Sequence, residues 1–179
     1  MRTITATISA KPPRPGASLL CGLPRVSPGR LSFASSGELF IHREIRSLLG
    51  AYASEVKRPG DSEVLFWQVM KMMDAYGSPE TALAMALDEI RTVWLSCKGA
   101  YPGLKAPYRD LGLFLAAPDS ITVLCGAPGA VSWTASPAKA VFDSAPSDAG
   151  AWNAMKASEI ARARLAGGRV KLTFRKVAA

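Results

Sequence analysis

Residues 61–97 constrain the fold more than any other stretch, because they contain two predicted helices joined at Gly77. The first helix is apolar around nearly its whole circumference, which predicts a position at the centre of the core. The second has a well-marked start, with Ser78 as N-cap and Pro79 at its first helical position. The apolar residues of the first helix are Val64, Leu65, Phe66, Trp67, Val69, Met70, Met72, Met73 and Tyr76. The inward stripe of the second helix consists of Leu83, Leu87, Ile90 and Trp94.

Alternating apolar and polar residues predict strands at both ends of the chain. Residues 2–10 alternate Ile and Ala with Thr and Ser, and residues 169–177 alternate Val, Leu and Phe with Lys, Thr and Arg. Residues 110–116, 120–125 and 131–134 are short β-prone segments separated by Pro- and Gly-containing turns. We expect the first and last strands to share one sheet and to be neighbours within it.

Three further segments carry helical signals. Ser35 and Glu38 form a Ser-x-x-Glu capping box, which predicts a helix that continues to about Val56. Residues 136–143 are predicted to form one or two helical turns. A last helix is predicted from an Asp148 cap through about Leu165, where two glycines follow.

Together these elements predict the α+β class, with the helical hairpin and one further long helix packed on a small, mainly antiparallel sheet that includes both chain termini. A length of 179 residues suits a single domain. Within it we expect a basic strand and Pro-rich arm at 1–34, a three-helix segment at 35–99, and a strand-rich segment with a C-terminal helix and strand at 100–179. No apolar run reaches the 18 residues of a membrane span.

Positive charge is concentrated at the two ends of the chain. Residues 1–37 contain five basic and no acidic residues, and residues 151–179 contain seven basic residues and one acidic residue. Such ends are where an acidic partner would bind, through phosphate contacts if that partner is a nucleic acid. The alternative is an ordinary solvated surface. The candidate residues for binding nucleic acid or another acidic partner are Arg14, Arg25, Arg30, Arg162, Arg164, Arg169, Lys171, Arg175 and Lys176.

The leading functional hypothesis from these patterns is a small non-catalytic binding protein of bacterial, phage or plasmid origin. It would bind nucleic acid or a nucleoprotein complex through the basic ends and act as an inhibitor by occlusion. A protein partner is an alternative, and a self-assembling structural protein is another. Cysteines that are few, odd in number and widely spaced suit a reducing cytoplasm. No membrane association and no cofactor are predicted.

A second hypothesis, from a different class, is a Cys-dependent hydrolase or transferase. Cys125 is its candidate nucleophile, because it ends an apolar strand and precedes a Gly-Ala-Pro-Gly turn whose backbone amides could stabilise an oxyanion. His42, the only histidine, would be the general base. The alternative is that Cys125 is a small buried hydrophobic residue. No metal site is predicted, since the three cysteines and His42 contain no closely spaced Cys-x-x-Cys pair.

Overall fold

The structure, a computed structural model, describes residues 4–10, 31–58, 60–146 and 151–177. These residues form nine strands, three α-helices and two short 3₁₀ segments. The strands are β1 (Thr5–Ser9), β2 (Ser32–Leu39), β3 (Tyr108–Ala117), β4 (Ser120–Cys125), β5 (Ser132–Ser136), β6 (Lys139–Asp143), β7 (Asn153–Ala154), β8 (Glu159–Ala166) and β9 (Arg169–Lys176), and the helices are α1 (His42–Ser47), α2 (Asp61–Tyr76) and α3 (Pro79–Cys97).

The strands form two antiparallel sheets that face each other. One has four strands in the order β1-β6-β5-β7, and the other has five in the order β2-β3-β4-β8-β9. Apolar side chains from both sheets, among them Ile8, Phe142 and Phe114, pack into one core between them. The helices pack on the other face of the five-stranded sheet and form a second core with residues such as Leu113 and Leu83. The described residues therefore build three layers: sheet, sheet and helices.

The strands at the centre of the five-stranded sheet, β3 and β4, are buried on both faces. In β3, Leu111, Leu113 and Leu115 join the core beneath the helices, whereas Phe114 joins the core between the sheets. All six residues of β4 are buried. This two-sided burial explains why these segments are almost continuously apolar, a pattern expected for strands covered on both faces.

Both helices of the hairpin form at the predicted positions. Gly77 ends α2 in the left-handed conformation, with φ of 68°. Ser78 is the N-cap of α3, and its hydroxyl accepts a hydrogen bond from the Thr81 amide at 3.4 Å. One departure from the predicted apolar helix is Gln68, which is completely buried and donates to the Ala86 carbonyl at 3.2 Å. None of the helices in the described part of the chain is long and apolar enough to span a membrane.

The predicted helix from Ser35 to Val56 is wrong at 35–39, which belong to strand β2, and the rest is the short helix α1 and a 3₁₀ segment at Gly50–Glu55 instead of one long helix. The backbone of β2 pairs with β3 from Ser32↔Ala116 to Leu39↔Tyr108, and its apolar ends bury Phe33 and Leu39. Tertiary pairing therefore overrides the local capping signal. The Ser35 hydroxyl donates to the Ser62 hydroxyl at 3.0 Å instead of capping a helix.

The two helices predicted near 136–143 and 148–165 are also wrong. Residues 139–143 are β6, which lies between β1 and β5. Residues 159–166 are β8, which lies between β4 and β9 and buries Ile160 on one face and Ala161 on the other. The Ala, Arg, Glu and Leu of β8 favour helices intrinsically, but this preference is worth only a fraction of a kcal/mol per residue and is outweighed by burial and pairing. Asp148, the predicted cap, lies outside the described residues.

The α+β class and the antiparallel pairing are confirmed, but the prediction of one small sheet containing both termini is wrong. Strand β1 pairs with β6, for example through Ala6↔Phe142, whereas β9 pairs with β8, for example through Leu172↔Ala163. The first and last strands therefore belong to different sheets. Both strands do turn an apolar face toward the same inter-sheet core, which is why their sequences follow the same pattern, but β1 buries Ala6 and Ile8 whereas Val170 and Leu172 of β9 are only partly buried.

Candidate functional site

The candidate nucleophile Cys125 lies at the end of β4, on the face that looks toward the four-stranded sheet, and is completely buried. Its thiol donates to the Ala127 carbonyl at 2.8 Å, and the Met155 carbonyl lies 3.9 Å from the sulfur. In this arrangement the thiol is protonated and serves as a hydrogen-bond donor, which differs from a thiolate ready to attack a substrate.

The turn after Cys125 was expected to offer free backbone amides. Instead, the Gly126 amide donates to the Leu111 carbonyl at 2.7 Å, the Gly129 amide to the Met155 carbonyl at 3.2 Å, and the Ala130 amide to the Ala127 carbonyl at 3.2 Å. Three amides of this turn are therefore already used. Two of them fix the turn against β3 and the segment before β8, and the third closes the turn on itself.

Burial raises the pKa of the Cys125 thiol, and the nearby Glu159 carboxylate raises it further. The backbone amides of Val131, Ala130 and Ala127 act in the opposite direction, because they stabilise negative charge on the sulfur, but burial has the larger effect. The backbone amides around Cys125 thus favour a thiolate, but burial of the sulfur in the core disfavours the thiolate more strongly.

His42, the candidate base, is the first residue of α1, and its Nδ1 atom lies 3.2 Å from the Leu39 carbonyl. The neighbouring residues Ile41 and Ile45 belong to the core on the helix side of the five-stranded sheet. Cys125 belongs to the core on the opposite side. Among the described residues, no hydrogen bond joins His42 to Cys125, so the fold does not bring them together as a hydrogen-bonded pair in this conformation.

The remaining cysteines are Cys97, at the end of α3, and Cys21, which lies outside the described residues. Cys97 is half-buried, and its pKa is raised by burial and by the nearby Glu44 carboxylate. Glu44 also accepts a hydrogen bond from the Tyr101 hydroxyl at 2.6 Å, and together burial and this hydrogen bond raise the pKa of Tyr101 to about 12. Neither described thiol is therefore activated by its surroundings.

A row of aligned residues crosses the five-stranded sheet at Cys125. The register places Ser36 opposite Gly112, Gly112 opposite Cys125, and Cys125 opposite Glu159. Directly opposed residues share a face, so a hydroxyl, a thiol and a carboxylate all lie on the inter-sheet side. The Ser36 hydroxyl is buried and has no hydrogen-bond partner among the described residues. Ser36 was not among the predicted site residues, because a helix was predicted there instead of a strand.

Among the described basic candidates, five lie on the helix-side face of the β8–β9 pair, namely Arg162, Arg164, Arg169, Lys171 and Arg175, and Lys176 lies on the other face. Arg162 pairs with Glu80 at 2.7 Å, and Arg164 pairs with Asp119 at 3.3 Å. The remaining described candidates, which are Arg169, Lys171, Arg175 and Lys176, lie on the edge strand β9. Arg14, Arg25 and Arg30 lie outside the described residues. The threonines of β1 belong to the other sheet and therefore do not extend this basic strand.

Carboxylate, thiol and imidazole groups are dispersed over the described part of the chain, where no three of them cluster in a way that could hold a metal ion. The ion pairs link neighbouring elements of the fold instead. Lys71 and Glu89 join the two hairpin helices at 2.7 Å, and Glu38 and Arg109 join β2 to β3 at 2.7 Å.

Neither a family model nor a curated protein sequence matches this chain, but its fold is similar to that of solved structures. A glutamine aminotransferase class-II domain protein from Silicibacter pomeroyi superposes with a TM-score of 0.62 at 18% identity, over 84% of this chain and 69% of that one. An allosteric regulatory enzyme of purine biosynthesis superposes with a TM-score of 0.55 at 15% identity, over 83% of this chain but only 29% of that one.

These likenesses establish the fold and overturn the leading functional hypothesis. The two matched proteins are an aminotransferase-domain protein and a biosynthetic enzyme, so the prediction of a non-catalytic nucleic-acid binder is wrong. The associated predictions of a nucleic-acid or nucleoprotein partner and of a phage or plasmid inhibitor are wrong for the same reason. The Cys-dependent hydrolase or transferase, which was the second hypothesis, agrees better with this fold.

Proposed function

We propose that this chain is a Cys-dependent hydrolase or transferase that acts on the side-chain amide of glutamine or of a related small molecule. The observation that carries this proposal is the shared fold, which extends over 84% of the chain with a glutamine aminotransferase class-II domain protein.

The reaction follows from the nucleophilicity of sulfur. A thiolate attacks the amide carbon, the carbonyl oxygen takes up the negative charge, and hydrogen-bond donors around that oxygen lower the barrier. The carbon–nitrogen bond then breaks, and the nitrogen takes a proton and leaves as ammonia. Water attacks the resulting thioester to give the free acid and regenerate the thiol. In a transferase, the released ammonia attacks an acceptor instead of escaping to solvent.

Cys125 is the described thiol that best fits this role. Its sulfur has the backbone amides of Ala127, Ala130 and Val131 around it, and these favour negative charge on the sulfur. Its burial is the obstacle, because burial raises its pKa and excludes substrate. Activity through Cys125 therefore requires that substrate gain access to the sulfur, and it should increase with pH as more thiolate forms.

The experiment is covalent labelling with a glutamine analogue that carries an electrophilic diazoketone in place of its amide. Peptide mass spectrometry would identify which cysteine is modified, and excess glutamine should protect that cysteine. Release of ammonia from glutamine would be measured in parallel. If Cys125 is the nucleophile, Cys125→Ala abolishes both signals, whereas Cys97→Ala retains them. If no cysteine is labelled with glutamine protection and no ammonia is released, the proposal is wrong.

A further inference from the structure

A cavity of about 260 Å³ lies where the beginning of α3 meets β8 and β9. It borders the core on the helix side of the five-stranded sheet through Ile160. Its charged lining consists of two guanidinium groups, those of Arg162 and Arg175, and the carboxylate of Glu80. Ile160 supplies an apolar wall. The volume is slightly below that of drug-sized ligand pockets, so it suits a small molecule or a single functional group.

Arg162 is held in place by an ion pair. Its Nη1 atom donates to Oε1 of Glu80 at 2.7 Å, and its side chain is 31% exposed. Burial alone would raise the pKa of Glu80, but hydrogen bonds from Arg162, from its own backbone amide and from Ser78 lower it on balance, so Glu80 is ionised at neutral pH. Glu80 thus neutralises Arg162.

One donor of Arg162 remains unused despite this pair. Its Nε atom is buried and has no hydrogen-bond partner among the described residues. A buried N–H group without a partner is costly, and such groups in native proteins commonly mark the place of a bound water, ion or ligand. The hydroxyl of Thr173, the residue paired with Arg162, donates to the Arg162 carbonyl at 3.4 Å.

Arg175 gives the cavity its excess charge. It is exposed on β9, directly opposite Ile160, and no ion pair within the described ranges involves it. The cavity lining therefore contains two positive charges and one negative charge, a net charge of +1. Arg175, which no described carboxylate pairs, and Arg162 on the neighbouring strand point to a ligand that accepts hydrogen bonds and carries negative charge.

We propose that this cavity binds the anionic oxygen group, a carboxylate or a phosphate, of a small molecule. The Arg175 guanidinium supplies charge-assisted hydrogen bonds, and the guanidinium of Arg162 lies beside it in the lining. Glu80 fixes the orientation of Arg162 without cancelling the charge of Arg175. Neither the thiols nor the amide chemistry proposed above enters this inference, so either proposal can fail without the other.

The test is an NMR titration of the isotope-labelled protein with propionate, inorganic phosphate and propionamide, the last being the uncharged analogue of propionate. We expect saturable shifts in the amides of Glu80, Arg162 and Arg175 with propionate, with phosphate or with both, and none with propionamide. Saturation by propionate alone identifies a carboxylate site, and saturation by phosphate alone identifies a phosphate site.

Two variants separate a specific site from general attraction to a basic strand. Arg175→Gln should weaken binding by about tenfold or more, which is typical of losing a charged hydrogen bond. Lys171→Gln removes the same charge from the same face of β9, four residues away and outside the cavity lining, and should leave binding unchanged. Equal weakening by both variants, or no saturable shift with either anion, would overturn the proposal.

Discussion

Gly37 shows how a single residue can be fixed by its backbone surroundings. It lies in β2 at a β-bulge, with φ of 80°, where the pairing with β3 is interrupted between Ser36 and Glu38. A Cβ atom at this position would overlap the backbone carbonyl groups of Arg109 and Asp110. Asp110 itself has an unusual φ of 48°. The bulge therefore brings the backbone of β2 so close to the backbone of β3 that only glycine fits at position 37.

We expect Gly37→Ala to destabilise the protein by about 3 kcal/mol or more, from overlap with backbone in addition to a strained φ. Gly103→Ala is the matched control, because Gly103 also has a positive φ, of 93°, but has nothing within 4 Å of an added Cβ. Its cost should be limited to about 1 kcal/mol. Urea denaturation of both variants measures the difference, and equal losses would contradict the role assigned to the overlap.

The helical hairpin is the element whose energetics follow most directly from the sequence. Helix α3 places Leu83, Leu87 and Ile90 in complete burial against α2 and the sheet, while its opposite side is exposed. Its N-terminus is fixed twice, by the Ser78 cap and by the ion pair between Glu80 and Arg162 of β8. A helix held in this way stabilises the fold through the apolar area that it buries rather than through its intrinsic helix propensity.

Leu87→Ala should reduce the free energy of unfolding by about 2–5 kcal/mol, because the fully buried side chain leaves a cavity. Leu95→Ala in the same helix is the control. Leu95 is 67% exposed, so its truncation should change stability by no more than about 0.5 kcal/mol. Thermal or urea unfolding distinguishes the two. A loss at Leu95 as large as that at Leu87 would mean that the outer face of α3 is covered in solution.

At the scale of the whole molecule, the defining feature is that two sheets face each other with helices on one side. The end of β4 contributes to both cores, since Leu124 faces the helices and Cys125 faces the other sheet. The chain reaches the four-stranded sheet first through β1, crosses to the five-stranded sheet, and returns through β5 and β6. The first strand, β1, and the last strand, β9, therefore belong to different sheets.

Paired cysteines would test this topology. Thr7 lies opposite Val141 in the β1–β6 pair, and neighbouring antiparallel residues have Cα atoms about 4.5–5.5 Å apart, within the range of a disulfide. We expect Thr7→Cys with Val141→Cys to form a disulfide under mild oxidation, mapped by peptide mass spectrometry. Thr7→Cys with Lys171→Cys should form none, because these residues lie in different sheets. The reverse result would restore the rejected pairing of the first and last strands.

The sequence by itself determined the elements whose signals are local. Helices α2 and α3 and strands β1, β3, β4 and β9 follow from periodicity, a Ser-Pro helix start and Gly or Pro turns. Only tertiary structure decided that 35–39, 139–143 and 159–166 are strands, because their partners are distant in sequence and local propensities are weak. The same holds for the candidate site. The sequence showed Cys125 as a thiol at the end of a strand. Which strands pair, and which face each residue takes, decides that Cys125 is buried, that the Ser36 hydroxyl is buried near it, and that Cys125 and His42 lie on opposite sides of the sheet.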